Sequence, residues 1–327
     1  MIAGLTLAEV LHHSKLAEPD QPVPTIKVIG IGKCGLDAVN YMIEHGVREA
    51  EYVAIDTDAK ALASCHAREK VKIGDWFSLI DSTAIKKAVD QETIKNLIGY
   101  SNIVFIVLGM GENTARHLAP LIAQIVQPMG QLLVAAVALP VDKKSKHIDY
   151  KYKNLILLSD NVHALIAVPD NFDDTKIALH RAVAGVAELY RDEGLMPCDL
   201  WDAAIDFLGA GMCLMGTASA SGTDRATIAA GNAIAQLARQ AVDPSRLRRK
   251  AIVNITSSSS LQPTEVVEVM NCVKVSADVR QSLISAGTVV DETMGDELRV
   301  TVFEFTPDDQ SVTWGAILNQ LNQRMEE

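Results

Sequence analysis

Residues 26–35 read IKVIGIGKCG, an apolar run that leads at once into three closely spaced glycines. The apolar run predicts a buried strand, and the helical periodicity from Asp37 to His45 predicts a helix behind it. A glycine turn between a strand and a helix exposes backbone N–H groups, and the helix dipole there favours an anion. The stretch therefore indicates the first step of a parallel sheet, with a candidate anion site at its turn.

The same alternation continues on the C-terminal side of this stretch. Apolar runs recur at residues 52–55, 103–108 and 132–137, with helical segments between them. Such alternation predicts an α/β fold whose parallel sheet is covered by helices on both faces. A long helical pattern then begins at Phe172, and Gly194 ends it.

Beyond this helix the pattern predicts a smaller α+β unit. Its expected elements are helices at residues 200–207, 224–240 and 263–271 and strands at residues 251–256, 287–291 and 298–305. The chain therefore divides into an N-terminal helix and linker (1–24), a nucleotide-binding-type α/β domain (25–171), a central helix (172–193), a C-terminal α+β domain (194–306) and a C-terminal helix (307–327).

Composition and charge exclude several classes of function. The 327 residues contain 30 Lys and Arg against 41 Asp and Glu, and the resulting net charge of −11 argues against nucleic-acid binding. We find no signal peptide and no apolar stretch long enough to span a bilayer, so we expect no transmembrane segment and a cytoplasmic location. The five cysteines and eight histidines show no ligand spacing, so we expect no metal site.

A second glycine turn, GMGENT at residues 109–114, also follows an apolar run and opens a helical pattern. Two such turns could line one crevice at the carboxyl edge of the sheet. Residues 30–35 have the GxGxxG spacing of dinucleotide-binding turns, whose acidic partner would here be Glu51 or Asp56. A tight turn without any ligand is the alternative.

Several motifs, taken in order, carry a family resemblance. They are IKVIGIG and AVNYM in the first unit, AIDTDAKAL at 54–62, VFIVLGMG at 104–111, GVAEL and GLM within 185–196, ASGTDRA at 220–226, VNIT at 253–256 and GDELRVTV at 295–302. With them the chain resembles the FtsZ and tubulin superfamily of filament-forming GTPases over about residues 25–306, and FtsZ more than tubulin. The resemblance implies the tubulin/FtsZ fold: a Rossmann-like GTPase-type domain, a central helix, and a smaller α+β domain whose acidic loop touches the next subunit's nucleotide.

The resemblance also implies a set of site residues. The nucleotide cleft would be formed by Gly30, Gly32, Lys33, Gly35, Asp56, Gly109, Gly111, Thr114, Arg116 and Phe172. Asp199 and Asp202 would be the catalytic aspartates. An alternative for Asp199 is the N-cap of a helix that begins near Leu200, with Asp202 in the first turn of that helix.

The chain departs from the family at the turns that hold phosphate. Lys33, Cys34 and Leu36 occupy glycine positions, and residues 111–117 read GENTARH where the family has GGGTGTG. Each added Cβ obstructs either the close approach of phosphate or a positive φ. Glu112 would also place a carboxylate where the phosphate charge should lie.

Base recognition and catalysis differ from the family as well. Lys176 and Ile177 stand where the family uses an asparagine and an aspartate on guanine, and an isoleucine cannot accept the protons of that base. The loop that should wrap the γ-phosphate, residues 74–81, is shorter, and Pro197 replaces the asparagine of the catalytic loop.

These departures favour a structural role. We expect a degenerate FtsZ-like cytoskeletal protein, a pseudo-GTPase with lost or weak GTP binding and hydrolysis and with no cofactor. It would associate with itself or with another FtsZ-like subunit, and family analogy suggests membrane remodelling or division. Lys33 and Arg116 would supply positive charge at the contact. Asp199 and Asp202 of the next subunit would supply the negative charge.

Two alternatives stay open. In the first, the chain is an active GTPase that uses GTP with Mg²⁺, and Lys33 and Arg116 grip phosphate. In the second, the chain is a monomeric module that caps or recruits another filament. The C-terminal helix carries an apolar stripe that either packs on the second domain or docks a protein partner. The stripe consists of Trp314, Ile317, Leu318, Leu321 and Met325.

Overall fold

The computed structural model describes residues 25–47, 50–74, 90–139, 148–169, 174–190, 211–240, 250–276 and 283–305. The chain divides into two compact units, unit 1 (Met1–Val183) and unit 2 (Ala184–Glu327). Several predicted features lie outside the described residues: the helices at 1–24, 200–207 and 307–327, most of the loop at 74–81, and the site residues Phe172, Asp199 and Asp202.

Unit 1 contains a parallel sheet. Its described strands are β1 (Ile26–Ile31), β2 (Ala50–Asp56), β3 (Glu69–Lys72), β4 (Ile103–Gly109), β5 (Leu132–Leu139) and β6 (Ala164–Pro169). They lie in the order β3-β2-β1-β4-β5-β6, and each neighbouring pair is parallel. The order reverses between β1 and β4, and such a switch point opens a crevice at the carboxyl ends of the two strands.

Helices alternate with these strands along the chain. They are α1 (Gly32–His45), α2 (Ala59–Ser64), α3 (Gln91–Ile98), α4 (Asn113–Val126), α5 (Ile148–Ser159) and α6 (Thr175–Ala187). Three of them begin at an aspartate N-cap. Asp58 accepts the N–H of Lys60 at 2.8 Å, Asp90 that of Glu92 at 3.2 Å, and Asp174 that of Lys176 at 3.1 Å. Helix α6 falls within the predicted central helix and is followed by a 3₁₀ turn at Glu188–Tyr190.

The core of unit 1 is built on β1 and β4, which are buried along their whole length. Val28 lies beside Phe105 and Ile29 beside Ile106, and none of the four is more than 1% exposed. A strand that is covered on both faces needs an apolar residue at nearly every position. The predicted α/β fold with a mostly parallel sheet is thus confirmed.

The described part of unit 2 contains a mixed sheet and two helices that follow β7 and β8. Its described elements are β7 (Gly211–Ser221), α7 (Arg225–Gln240), β8 (Lys250–Ser257), α8 (Pro263–Ser276), β9 (Leu283–Val290) and β10 (Glu297–Phe305). The strands lie in the order β7-β10-β8-β9, with β10 antiparallel to β7 and to β8, and β9 parallel to β8. This arrangement has the expected α+β character.

Strand β7 corrects the sequence analysis, which predicted no strand at this position. Its sequence, GMCLMGTASAS, is rich in Gly, Ala, Ser and Met, which have little intrinsic preference for strands. The strand pairs with β10 continuously from Cys213 to Ser221. Long-range pairing therefore outweighs a weak local preference.

Helix α1 begins earlier than predicted. It begins at Gly32 instead of near Asp37, so Lys33, Cys34 and Gly35 belong to its first turn. The prediction of a glycine turn over residues 30–35 is therefore wrong in extent. The turn is reduced to the junction at which β1 meets α1.

Candidate functional site

The candidate site lies at the carboxyl ends of β1 and β4. The first junction is where β1 meets α1 at Gly32, and the second is residues 110–112, which connect β4 to α4. Because β1 and β4 are neighbours in the sheet, the two junctions lie side by side at the switch point. The structure thus brings together the two glycine turns that the sequence analysis singled out.

Three of the predicted site glycines are required by packing. A Cβ on Gly30 would lie 2.6 Å from the carbonyl oxygen of Gly35, and a Cβ on Gly35 would collide with the carbonyl oxygen of Val107. A Cβ on Gly109 would lie 2.9 Å from the Cβ of Cys34. These glycines let α1 pack closely against β1 and β4, and that requirement holds with or without a ligand.

Gly32 is constrained in a different way. Its φ of +71° lies in the left-handed region that favours glycine. A Cβ added to Gly32 would collide with the Oε2 atom of Glu112. The space beside this glycine, which a phosphate would need, therefore holds a carboxylate oxygen.

The side chain of Glu112 reaches from the second junction to the first. Its Oε1 accepts the backbone N–H of Cys34 at 2.8 Å. Burial raises the pKa of Glu112, the N–H groups of Cys34 and Lys33 lower it, and the carboxylate of Asp56 raises it again. A half-buried carboxylate thus occupies the N-terminus of α1.

Of the two acidic candidates, Asp56 is the one at the carboxyl edge of the sheet. It ends β2, is 5% exposed, and accepts the backbone N–H groups of Thr57 at 2.6 Å and Asp58 at 3.1 Å. Glu51 lies earlier on the same strand, where it pairs with Lys27 at 2.8 Å. This contact lowers the pKa of Glu51.

Lys33 projects from the first turn of α1. Its Nζ lies 2.6 Å from Oδ2 of Asp37, one turn further along the helix, and this bond raises the pKa of Lys33. Both side chains are exposed, so water screens the pair. This contact was not predicted from sequence, because Lys33 was placed in a turn ahead of the helix; with the helix beginning at Gly32, the i, i+4 spacing of the two residues accounts for it.

Thr114 and Arg116 lie in the first turn of α4. Burial lowers the pKa of the Arg116 guanidinium. Its Nε is buried and has no hydrogen-bond partner within the part of the chain that the structure describes. The described residues that line the cleft beside the junctions include neither Thr114 nor Arg116.

That cleft has a volume of about 660 Å³. It is lined by one face of α1, by both junctions, by the end of β5 and by the start of α6. The described lining residues are Lys33, Cys34, Asp37, Asn40, Tyr41, Glu44, Gly109, Gly111, Glu112, Ala138, Leu139, Asp174, Thr175 and Lys176. The contribution of α1 beyond its first turn was not predicted from sequence, although helical spacing from Lys33 to Glu44 places these polar residues on one face.

Tyr41 forms an aromatic surface in the cleft. Its ring stacks on that of His45 with 3.8 Å between centroids, and His180 meets it edge-on at 5.4 Å. The Nζ of Lys176 lies 5.8 Å from the centre of the Tyr41 ring and 3.4 Å from Oδ2 of Asp174. Lys176, which the family resemblance placed at a position for reading guanine, lines this cleft.

Two other kinds of site find no support in the described part of the chain. Among its residues, no group of three His, Cys, Asp or Glu side chains could hold a metal ion. Of the helices that the structure describes, none is both long enough and apolar enough to cross a membrane.

Comparison with known proteins agrees with this architecture. The Tubulin/FtsZ family GTPase domain matches residues 25–172, and the FtsZ family C-terminal domain matches residues 211–308. The cell division protein FtsZ of Coxiella burnetii is 32% identical over 311 residues, which cover 88% of this chain and 80% of that protein. The chain belongs to the FtsZ family.

Other FtsZ proteins are similar to a comparable degree. FtsZ of Buchnera aphidicola subsp. Acyrthosiphon pisum is 33% identical over 302 residues, or 85% of this chain and 78% of the relative. An empty FtsZ dimer from M. jannaschii matches with a TM-score of 0.78 at 25% identity, over 96% of each chain. CetZ from Methanosaeta thermophila shares the fold, with a TM-score of 0.69 at 17% identity over 93% of this chain and 91% of CetZ. This FtsZ family member is an FtsZ-like cytoskeletal protein of the tubulin superfamily.

Proposed function

We propose that this FtsZ family member assembles without depending on bound GTP. In this proposal it is a divergent FtsZ in which GTP binding and hydrolysis are lost or weak. It acts by associating with copies of itself or with another FtsZ-like subunit, in a role related to division or membrane remodelling. The observation that carries the proposal is the carboxylate of Glu112 at the N-terminus of α1, bonded to the N–H of Cys34.

GTP with Mg²⁺ fits the cleft in size but not in chemistry. A volume of about 660 Å³ is adequate for a nucleotide. However, the N–H of Cys34 is already bonded to Glu112, and the space beside Gly32 is filled. A phosphate entering there would meet a carboxylate of like charge.

Self-association is supported by the family. The matching structure from M. jannaschii is an FtsZ dimer. In the proposal, Lys33 of one subunit, which lines the cleft, takes the place of the nucleotide at the contact, and Arg116 adds positive charge from the first turn of α4. They face Asp199 and Asp202 of the next subunit. Lys33 can exchange Asp37 for such a partner at little cost, because exposed ion pairs are weak.

Equilibrium binding and sedimentation test the proposal together. The full chain is titrated with labelled GTP in the presence of Mg²⁺, and its sedimentation is measured at rising protein concentration with and without nucleotide. We expect no saturable binding up to about 100 μM GTP, and assembly that grows with protein concentration equally in both series. Saturable binding near about 1 μM, or assembly only when GTP is present, would falsify the proposal.

An active GTPase is the second candidate. It is favoured by FtsZ relatives at 32% and 33% identity and by the size of the cleft. In that case GTP binding is saturable, and phosphate release rises with assembly because Asp199 and Asp202 complete the site of the next subunit. A chain that neither binds GTP nor assembles would instead be a capping or recruiting module.

A further inference from the structure

Helix α1 has no cap of its own. Its N-cap residue is Ile31, whose side chain makes no capping hydrogen bond, and its first turn contains no acidic residue. The N–H groups at a helix N-terminus need an acceptor from outside the helix. For the N–H of Cys34, that acceptor is Oε1 of Glu112 at 2.8 Å.

Glu112 is itself the N-cap residue of α4, yet its side chain does not cap that helix. A glutamate side chain is longer than those of the preferred N-cap residues, and here it extends to the neighbouring helix. Its second oxygen lies against Gly32. The carboxylate thus has both the position and the charge of an anionic ligand at α1.

The charges that face Glu112 disfavour a second anion. Asp56, at the end of β2, is a buried carboxylate that raises the pKa of Glu112. Lys33, on α1, supplies positive charge that acts on Glu112, but its side chain is exposed, so water screens its attraction for an anion at this position. A phosphate would therefore have to displace the carboxylate of Glu112 and could not share the position with it.

We propose that Glu112 sets the ligand selectivity of the cleft as a tethered occupant: its side chain fills the phosphate position and excludes phosphate-bearing ligands. The inference rests on the proposed function, because it names the residue that keeps GTP out. Replacing Glu112 with glycine opens that position and releases the N–H of Cys34. Glycine is also tolerated at the N-cap of α4.

Thermal unfolding with inorganic phosphate tests the inference. In Glu112→Gly, phosphate at ten times its Kd raises the Tm by about 3–5 °C, and phosphate binds at least about tenfold more tightly than to wild-type protein. The wild-type protein does not respond. Asp90→Gly is the matched control, since it removes another carboxylate from a helix N-terminus, that of α3, away from the cleft. No response is expected there either.

Glu112→Gln shows whether phosphate is excluded because the side chain fills the phosphate position or because the side chain is negatively charged. The amide keeps the length of the side chain and an oxygen for the N–H of Cys34, so this variant remains unresponsive to phosphate. A response equal to that of Glu112→Gly contradicts occupation. The absence of any response in Glu112→Gly contradicts the inference as a whole.

NMR of the wild-type protein supplies a measurement that needs no variant. The amide resonance of Cys34 shifts as Glu112 takes up a proton on acidification, and burial places this transition at a higher pH than for an exposed glutamate. An unchanged resonance contradicts the contact. The two proposals fail separately. GTP binding by the wild-type protein contradicts the proposed function, whereas an unresponsive Glu112→Gly in a protein that binds no GTP contradicts only this inference.

Discussion

Arg225 and Glu265 form a bidentate ion pair in unit 2. Nε of Arg225 donates to Oε1 of Glu265 at 2.7 Å, and Nη2 donates to Oε2 at 3.0 Å. The two side chains are only 5% and 15% exposed. Nη1 of Arg225 also donates to the backbone carbonyl of Asp296 at 2.9 Å, so the contact joins α7, α8 and the turn before β10.

We expect the replacement of Arg225 by methionine to lower the free energy of unfolding by about 3–5 kcal/mol, because Glu265 then stays buried without its partner. Urea unfolding of the full chain measures the loss. Replacing Glu265 by leucine in the same protein should recover part of it. Lys95→Met is the control, since its pair with Glu92 is exposed and contributes about 0–1 kcal/mol. Equal losses of stability in Arg225→Met and Lys95→Met would refute the prediction.

His163 makes the stability of unit 1 depend on pH. Its ring is 8% exposed, its Nδ1 accepts the N–H of Leu133 at 2.9 Å, and burial lowers its pKa to about 4. In the unfolded chain the pKa is about 6.5, so between these values only the unfolded chain binds the proton. The contribution of His163 is therefore complete above about pH 6.5 and is lost as the pH falls towards 4.

The expected loss from His163 is about 3 kcal/mol between pH 6.5 and pH 4. His163→Asn offers an oxygen to the N–H of Leu133 without titrating, so its free energy of unfolding should fall less over the same interval. Urea titrations at both pH values measure the difference. His66→Asn, at an exposed histidine, should follow the wild-type profile. If His163→Asn also followed the wild-type profile, the pH-dependent loss of stability could not be assigned to His163.

Because α1 lies close to β4, we expect alanine substitutions at two glycines to differ in their effect on stability. Gly35→Ala should destabilise the protein by about 1–3 kcal/mol, because its Cβ would collide with the carbonyl oxygen of Val107. Gly74→Ala should change the free energy of unfolding by less than about 0.5 kcal/mol, since a Cβ there meets nothing within 4 Å. Urea midpoints compare the two. The loss in Gly35→Ala should be the same with and without added nucleotide.

In unit 2, we expect alanine substitutions at two glycines to change stability in opposite directions. Gly216→Ala should destabilise the protein by about 1–3 kcal/mol, because its Cβ would collide with the carbonyl oxygen of Ala233. Gly231→Ala, in the exposed interior of α7, should stabilise it by about 0.5–1 kcal/mol, since glycine weakens a helix. Thermal unfolding of the two variants side by side shows whether the signs differ as expected.

The charged contact between subunits predicts an effect of charge reversal. Asp199→Lys combined with Asp202→Lys should weaken self-association, because like charges would then meet Lys33 and Arg116 of the next subunit. Sedimentation at several protein concentrations and at low and high salt measures the effect, which salt should reduce. An unchanged sedimentation profile in the double variant would refute the pairing.

The strands that could be predicted from sequence are those whose apolar pattern shows which of their faces are buried. β1 and β4 have apolar residues on both faces, and this pattern is typical of strands that are covered by helices on both sides. β7 could not be predicted, because its small residues carry no such pattern and its pairing partner, β10, lies more than seventy residues later in the chain.

In the candidate site too, some features could be predicted from sequence and others could not. The two glycine turns and the carboxylate of Glu112 were evident from spacing and charge. That α1 would begin at Gly32, and that Glu112 would bond to the N–H of Cys34, depends on how two non-adjacent segments pack. The sequence alone did not assign the acidic residue to Asp56, since Glu51 has nearly the same spacing. Strand register separates them, because it places Glu51 beside Lys27.

β3 lies at one end of the described sheet of unit 1 and reads EKVK, with its two lysines and its glutamate exposed. A short outer strand with charged side chains discourages another chain from adding a strand by backbone hydrogen bonding. Aggregation through this edge of the sheet is therefore suppressed. In the proposed assembly, subunits would join through other surfaces.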